Sequence, residues 1–154
     1  MRVKISLTLI AVLLVAAAAP IATASAQEDE LASQTVKVFK GKVTYRIYCS
    51  NCHGETGHGD GSLSELLSVR PANLTAIARN NGGEFPAEFI NKLVDGRETV
   101  QGHGLKEMPV WGDAFQKSLQ PSWTEETDDE RATRKIVEVV AFVESIQELE
   151  APAE

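Results

Sequence analysis

Two cysteines three residues apart, followed at once by a histidine, constrain this chain more than any other feature of its sequence. The segment is Cys49-Ser50-Asn51-Cys52-His53. On a helical turn, residues i and i+3 share a face, so both thiols can form thioether bonds to the two vinyl groups at one edge of a porphyrin. His53 then lies beneath the ring with its imidazole directed at the iron. The spacing therefore predicts attachment of one c-type haem.

Other uses of the same residues are weaker interpretations. A dithiol redox motif expects a preceding strand and a βαβ pattern, but the residues before Cys49 have helical spacing. A structural zinc site needs four ligands, usually in closed pairs of cysteine or histidine, and only His58 and His103 remain. A chance occurrence and a disulfide are also open alternatives, although a disulfide between cysteines this close forms a small, strained ring.

An apolar run near the N-terminus indicates export. Arg2 and Lys4 precede the run, and residues 24–26 (Ala-Ser-Ala) form a cleavage site of small residues, as in a secretory signal peptide. The run is shorter than the ~20 residues that span a bilayer. We therefore expect residues 1–26 to be removed near Ala26, leaving a periplasmic protein with no membrane span. An uncleaved anchor is the alternative.

The net charge of −7 limits the class of partner. An acidic protein does not favour nucleic acid or an anionic membrane surface. It suits a redox partner with a basic docking patch, although the charge can also serve only to keep a secreted protein soluble. The length that remains after cleavage corresponds to one domain.

Three amphipathic segments predict an all-α domain over residues 35–149. A helix is expected over residues 35–50, a second over 86–96, and a last helix from about 128 to 149. A flexible segment (residues 27–34) would precede the domain, and a disordered acidic tail (residues 150–154) would follow it. The loops between these helices are long for a small domain, and a buried haem would give them a core to wrap around.

The spacing of apolar residues also supports the first and last helices. On the first helix, Val36, Phe39, Val43 and Ile47 fall at helical spacing. Gly41 interrupts this helix at a cost of ~1 kcal/mol relative to alanine, and such a glycine often permits close approach of another backbone. The last helix carries a longer apolar stripe: Ile136, Val139, Val140, Val143, Ile146 and Leu149. Residues 54–62 and 97–112 are expected as loops, and residues 63–69 as a short helix.

Met108 is the candidate for the second axial ligand. It is the only methionine besides Met1, and Pro109 favours an extended backbone at this position. His103 is the main competitor, whereas His58 is too close to His53 along the chain to reach the other face of the ring. A methionine that merely fills a core gap is the other interpretation. Ligation by His53 and Met108 raises the reduction potential relative to two histidines and leaves no open position on the iron.

The chain resembles a class I c-type cytochrome over roughly residues 35–149. The resemblance rests on these residues and segments: Gly41, Tyr45, the CxxCH motif, residues 57–61 (GHGDG), residues 70–75 (RPANLT), Asp95-Gly96, and residues 108–112 (MPVWG). It implies a cytochrome c fold in which the first and last helices cross, with Gly41 and Tyr45 meeting the last helix near Phe142. It also implies that a carbonyl after the GDG sequence, here that of Ser62, accepts a hydrogen bond from the ring of His53.

These observations predict a function in electron transfer. The leading hypothesis is a periplasmic mono-haem electron carrier, not an enzyme, that exchanges single electrons with redox proteins such as a dehydrogenase, an oxidase or another cytochrome. A subunit of such a complex is a close variant. The alternative is a five-coordinate haem protein that binds a gas or reduces peroxide, although the sequence offers no distal acid–base pair. Trp111 would either donate a hydrogen bond to a haem propionate or pack on the ring.

Overall fold

The computed structural model describes residues 19–97, 108–118 and 125–149, and its regular elements are all helical. The elements are α1 (Ala19–Tyr48), α2 (Ser50–His53), α3 (Ile77–Asn80), α4 (Ala87–Asp95), α5 (Trp111–Gln116) and α6 (Asp128–Ser145), with single 3₁₀ turns at Ser64–Leu66 and Leu74–Ala76. The predicted all-α fold is therefore confirmed. No helix in the described part of the chain is long and apolar enough to cross a membrane.

Helix α1 begins well before the predicted start near residue 35. The chain divides into two compact units, residues 1–36 and 37–154, and residues 19–36 of the first unit are helical. The helix thus includes residues 27–34, and the flexibility that we expected of them stays a prediction. Between Pro20 and Gly41 the chain contains no glycine or proline, and its alanine, glutamate and glutamine residues are good helix formers.

The apolar residues at helical spacing on α1 do not form its buried face. Phe39, Val43 and Ile47 are 66%, 45% and 62% exposed, and Val36 in the first unit is also exposed. The face that packs is the opposite one, where Tyr45 is completely buried. Apolar spacing alone fits both faces, and the position of Gly41 decides between them, because only that face allows a second backbone to approach closely.

Helices α1 and α6 cross at Gly41. A Cβ atom at this position would collide with the backbone carbonyl of Glu138, lie 2.5 Å from its carbonyl carbon and 3.1 Å from Cβ of Phe142. One turn further along α1, the rings of Tyr45 and Phe142 lie 5.0 Å apart between centroids. The crossing implied by the resemblance is therefore present, and a side chain at position 41 would force it apart.

Helix α6 is the central element of the core. One cluster of buried residues joins it to α4 and α5: Ile90, Val94, Phe115, Ala132, Ile136 and Val140. A second cluster joins it to α1: Tyr45, Val139, Phe142 and Val143. Ile77 and Phe85 pack against both clusters, so the two parts of the core are continuous.

The ends of α6 differ in how well the sequence predicted them. It begins at Asp128, as expected, and Thr127 and Glu130 form a reciprocal capping box at this end, which satisfies two backbone N–H groups. It ends at Ser145, short of the predicted stripe. Leu149 lies outside the helix and is 65% exposed, because the chain turns after Ile146 to bring polar residues against another segment.

The second predicted helix is confirmed as α4, and the predicted stop at Gly96 is also correct. Gly96 takes a left-handed conformation and its N–H donates to the Lys92 carbonyl at 3.1 Å. Residues 63–69 contain one 3₁₀ turn instead of a helix. Residues 97–112 were expected as loop, but α5 begins within them at Trp111, and residues 98–107 lie outside the described part.

Arg97 links the end of α4 to the start of α6. Its Nε lies 2.5 Å from Oδ1 of Asp95, and its Nη1 lies 2.6 Å from Oδ1 of Asp129. The hydrogen bond from Arg97 lowers the pKa of Asp95, and the same partner lowers the pKa of Asp129. The pair of Asp95 and Arg97 also packs against the start of α5, since a Cβ atom at Gly112 would collide with both side chains.

Replacing Gly41 with valine should weaken the crossing of α1 and α6. We expect the free energy of unfolding to fall by about 2–3 kcal/mol, as in other overpacked cores, because the new side chain meets the Glu138 backbone, which cannot rotate away. Chemical denaturation would measure this. Lys42→Val is the matched control on the exposed side of α1, where we expect a change within about 0.5 kcal/mol. Equal stabilities of the two variants would contradict the crossing.

Replacing Arg97 with glutamine should destabilise the fold in a pH-dependent way. Because Arg97 lowers the pKa of Asp95, this pair stabilises the folded state above the ordinary carboxyl pKa of about 4, and the contribution is lost as pH falls through the lowered value. We expect the free energy of unfolding of Arg97→Gln to be about 1 kcal/mol lower than that of wild type at neutral pH. This difference should narrow below about pH 4. Arg46→Gln, which removes an exposed pair with Glu55, serves as the control. A difference in the free energy of unfolding that stays the same in acid would show that the pair with Asp95 is not its cause.

Candidate functional site

The CxxCH motif lies where α1 ends and α2 begins. The N–H groups of Cys52 and His53 both donate to the Cys49 carbonyl, at 3.1 and 2.9 Å, so the three residues share one helical turn. Both thiols are free and partly buried. The side chain of Tyr45 holds this turn from below, since its hydroxyl donates to the Gly54 carbonyl at 2.7 Å in a buried environment.

The imidazole of His53 is oriented by a backbone carbonyl. Its Nδ1 lies 3.1 Å from the carbonyl oxygen of Ala72. Because a carbonyl can only accept, Nδ1 carries the proton and Nε2 keeps its lone pair. Burial lowers the pKa of His53, partly offset by this hydrogen bond, which favours the neutral form that ligates iron.

The carbonyl that accepts the hydrogen bond from His53 is that of Ala72. The prediction that the Ser62 carbonyl would accept it is wrong. The chain next to Ser62 is engaged elsewhere, since the Gly61 N–H donates to the Cys52 carbonyl at 3.2 Å. It therefore contacts the backbone of the turn and not the imidazole. Residues 70–75 contributed to the resemblance, but nothing in their order along the chain reveals that they fold back to His53.

The glycine-rich loop packs directly against residues 49–53, a turn that we call the attachment turn because its sequence predicts haem attachment. The N–H groups of Gly59 and Leu63 donate to the carbonyls of His53 and Asn51, each at 2.8 Å. Gly59 has φ of +77°, and a Cβ atom there would collide with the Pro71 carbonyl and lie 3.2 Å from the Ala72 carbonyl oxygen. A glycine is required here because the loop passes between the turn and the segment that orients His53.

The environment of Cys49 disfavours a dithiol redox site. Burial, with a smaller effect of Cys52, raises the pKa of the Cys49 thiol to about 12. Thiol–disulfide exchange proceeds through the thiolate, and this thiol is protonated at neutral pH. The described residues contain no group of three or more His, Cys, Asp or Glu side chains that could hold a metal ion.

Met108 packs against the same core that carries the attachment turn. It is half-buried and contacts the cluster around α4, α5 and α6, as do Tyr48 and Trp111. The rings of Tyr48 and Trp111 meet edge to face with centroids 5.6 Å apart. Tyr48 directly precedes Cys49, so this contact joins the attachment turn to the segment that begins at Met108. The role of Trp111 at a haem propionate stays a prediction.

The two competing histidines differ in what can be said of them. His103 lies outside the described residues. His58 lies on the glycine-rich loop, where its Nδ1 is 2.9 Å from the Thr56 hydroxyl and its Nε2 is 3.2 Å from a carboxylate oxygen of Glu148. Both ring nitrogens of His58 therefore have partners, which agrees with the expectation that His58 is not an axial ligand.

The donor set and its surroundings fit a c-type haem. Two thiols on one turn, an imidazole with a free Nε2 and a thioether are the groups that attach and ligate this cofactor. Near the turn, four large apolar side chains are exposed: Leu63, Leu66, Leu67 and Val69. A large apolar ring beside them would remove part of this surface from water.

Comparison with known families agrees with this chemistry. A family model described as cytochrome c oxidase, cbb3-type, subunit III matches residues 37–132, a range that includes the attachment turn and Met108. No curated protein and no solved structure matches the chain. Proteins with this domain are haem-containing and transfer electrons. Because the match covers more than half of the chain, the chain belongs to this family of class I c-type cytochromes.

Proposed function

We propose that this protein transfers single electrons through one haem c, bound to Cys49 and Cys52 and ligated by His53 and Met108. The observation that carries the proposal is the hydrogen bond between Nδ1 of His53 and the Ala72 carbonyl, 3.1 Å long. It fixes the tautomer and leaves Nε2 free as a ligand on the same turn as both thiols. Carbonyl partners of this kind orient a ligating imidazole and raise its basicity.

Met108 supplies the second ligand in this proposal. A thioether is a soft donor that favours ferrous iron and so raises the reduction potential. Two axial ligands leave no site for oxygen or peroxide, so the bound haem would supply one-electron transfer. Met108 and Trp111 both pack against the core cluster of α4, α5 and α6, and Gly112, directly after Trp111, lies against Asp95 and Arg97.

The periplasm is the proposed location, and residues 1–26 are the proposed signal peptide. Their removal would shorten α1 from its N-terminal end and leave the crossing at Gly41 unchanged. We propose a dehydrogenase, an oxidase or another cytochrome as redox partner. The description of the matching family names an oxidase subunit, and copurification from membranes would separate a subunit from a free carrier.

Replacing both cysteines with serine should abolish covalent attachment. We expect haem in wild-type protein, expressed with haem-maturation machinery, to stay with the chain after extraction with acidified organic solvent, because two thioether bonds hold it. Haem in Cys49→Ser/Cys52→Ser should be extracted completely. Ser50→Ala, on the same turn, is the control and should keep its haem. Covalent haem in the double variant would contradict the assignment.

Replacing Met108 with leucine tests the second ligand at nearly constant volume. We expect oxidised wild-type protein to show a low-spin spectrum with the long-wavelength sulfur-to-iron band, and Met108→Leu to lose that band. Its ratio of reduced to oxidised haem at a fixed potential should fall tenfold or more, a shift of about 59 mV or more.

The neighbouring variant Val110→Ala should keep the sulfur-to-iron band. A wild-type spectrum that is high-spin and shifts on addition of carbon monoxide would contradict ligation by Met108. It would instead support the five-coordinate haem that binds a gas or reduces peroxide.

A further inference from the structure

Gln147, just beyond α6, uses its whole side-chain amide to join two parts of the chain. Its Nε2 donates to the carbonyls of Leu74 and Val143, each at 2.7 Å. Its Oε1 accepts from the Ala78 N–H at 2.8 Å. Both donor hydrogens and the acceptor are engaged, and two of the three partners lie in residues 74–78, far away along the chain.

The next residue, Glu148, strengthens the same junction. Its N–H donates to the Thr75 carbonyl at 2.8 Å, and its carboxylate lies 3.2 Å from the Thr75 hydroxyl. Thr75 is almost completely buried, so few other partners can replace these bonds. Residues 74–78 are therefore held by the end of the chain that follows α6.

This junction leads directly to the acceptor of His53. Oδ1 of Asn73 accepts from the Thr75 N–H at 2.9 Å, and the Leu74 N–H donates to the Gly57 carbonyl at 2.7 Å. Ala72, whose carbonyl meets His53, comes just before these anchored residues and is itself exposed. The position of the Ala72 carbonyl therefore depends on the residues that follow it.

We infer that Gln147 is a positioning residue for His53, because it fixes the segment whose Ala72 carbonyl holds the imidazole. The inference rests on the proposed function, in which His53 ligates iron. A hydrogen bond to Nδ1–H increases electron donation from Nε2, which stabilises ferric iron. Weakening that bond favours ferrous iron, so loss of the Gln147 amide raises the reduction potential.

The test is Gln147→Met in the full haem-loaded protein, since methionine has similar length and makes none of the three hydrogen bonds. We expect haem content and the low-spin spectrum to persist. The ratio of reduced to oxidised haem at a fixed potential should rise three- to tenfold, about 28–59 mV. In the reduced protein, the His53 Nδ1 proton should exchange with water at least tenfold faster.

Two further variants separate positioning from general stability. Gln116→Met removes a 3.3 Å hydrogen bond to Asp129, which lies at the opposite end of α6 from Gln147, and it should leave both the potential and the exchange rate unchanged. Thr75→Val keeps the side-chain volume but loses the hydroxyl that lies 2.8 Å from Oδ1 of Asn73 and 3.2 Å from the Glu148 carboxylate. It should shift both quantities in the same direction as Gln147→Met, and it carries the test if Gln147→Met does not fold.

The inference about Gln147 is overturned if Gln147→Met changes neither the reduction potential nor the exchange rate of the His53 proton, even if its stability falls. If Gln147→Met does not fold, the same result in Thr75→Val overturns it. A wild-type spectrum without the sulfur-to-iron band would contradict ligation by Met108, but it would not contradict the inference about Gln147. The difference in potential between wild type and Gln147→Met would still be measured and would decide the role of Gln147 independently.

Discussion

The close contact between the first and last helices at Gly41 is the interaction on which the rest of the structure depends. It allows the backbone of α1 to meet the Glu138 carbonyl, which brings Tyr45 against Phe142 in the second core cluster. From this buried position the Tyr45 hydroxyl holds the Gly54 carbonyl. The turn that carries the two thiols and His53 is thus tied to the deepest part of the core.

A second set of contacts controls the imidazole rather than the turn. The backbone of the turn is closed by the glycine-rich loop, while the ring of His53 is held by Ala72. The segment behind Ala72 is in turn anchored to Gln147 and Glu148. Helix α6 therefore contributes to both: it packs on α1, which leads into the turn with the two thiols, and the residues that follow α6 anchor the segment after Ala72.

The local parts of this arrangement could be predicted from the sequence, because their chemistry depends on short spacings. The CxxCH turn, the stop at Gly96 and the start of α6 near Asp128 are of this kind. The apolar residues at helical spacing on α1 do not mark its buried face, since they occupy one side and the packing residues Gly41 and Tyr45, which the resemblance indicated, occupy the other. The Ala72 acceptor and the role of Gln147 depend on contacts between distant segments, which no spacing in the chain encodes.

The burial of Cys49 has a consequence for the order in which the protein matures. Attachment of haem requires a reactive sulfur, yet in the folded chain the pKa of this thiol is raised to about 12. Cys49 is buried because it packs against the cluster that Tyr45 forms with Val139, Phe142 and Val143 of α6, and α6 lies far beyond Cys49 along the chain. If haem is attached at Cys49, thioether formation would be favoured before α6 docks, and because α6 is synthesised after Cys49 there is an interval in which this can occur.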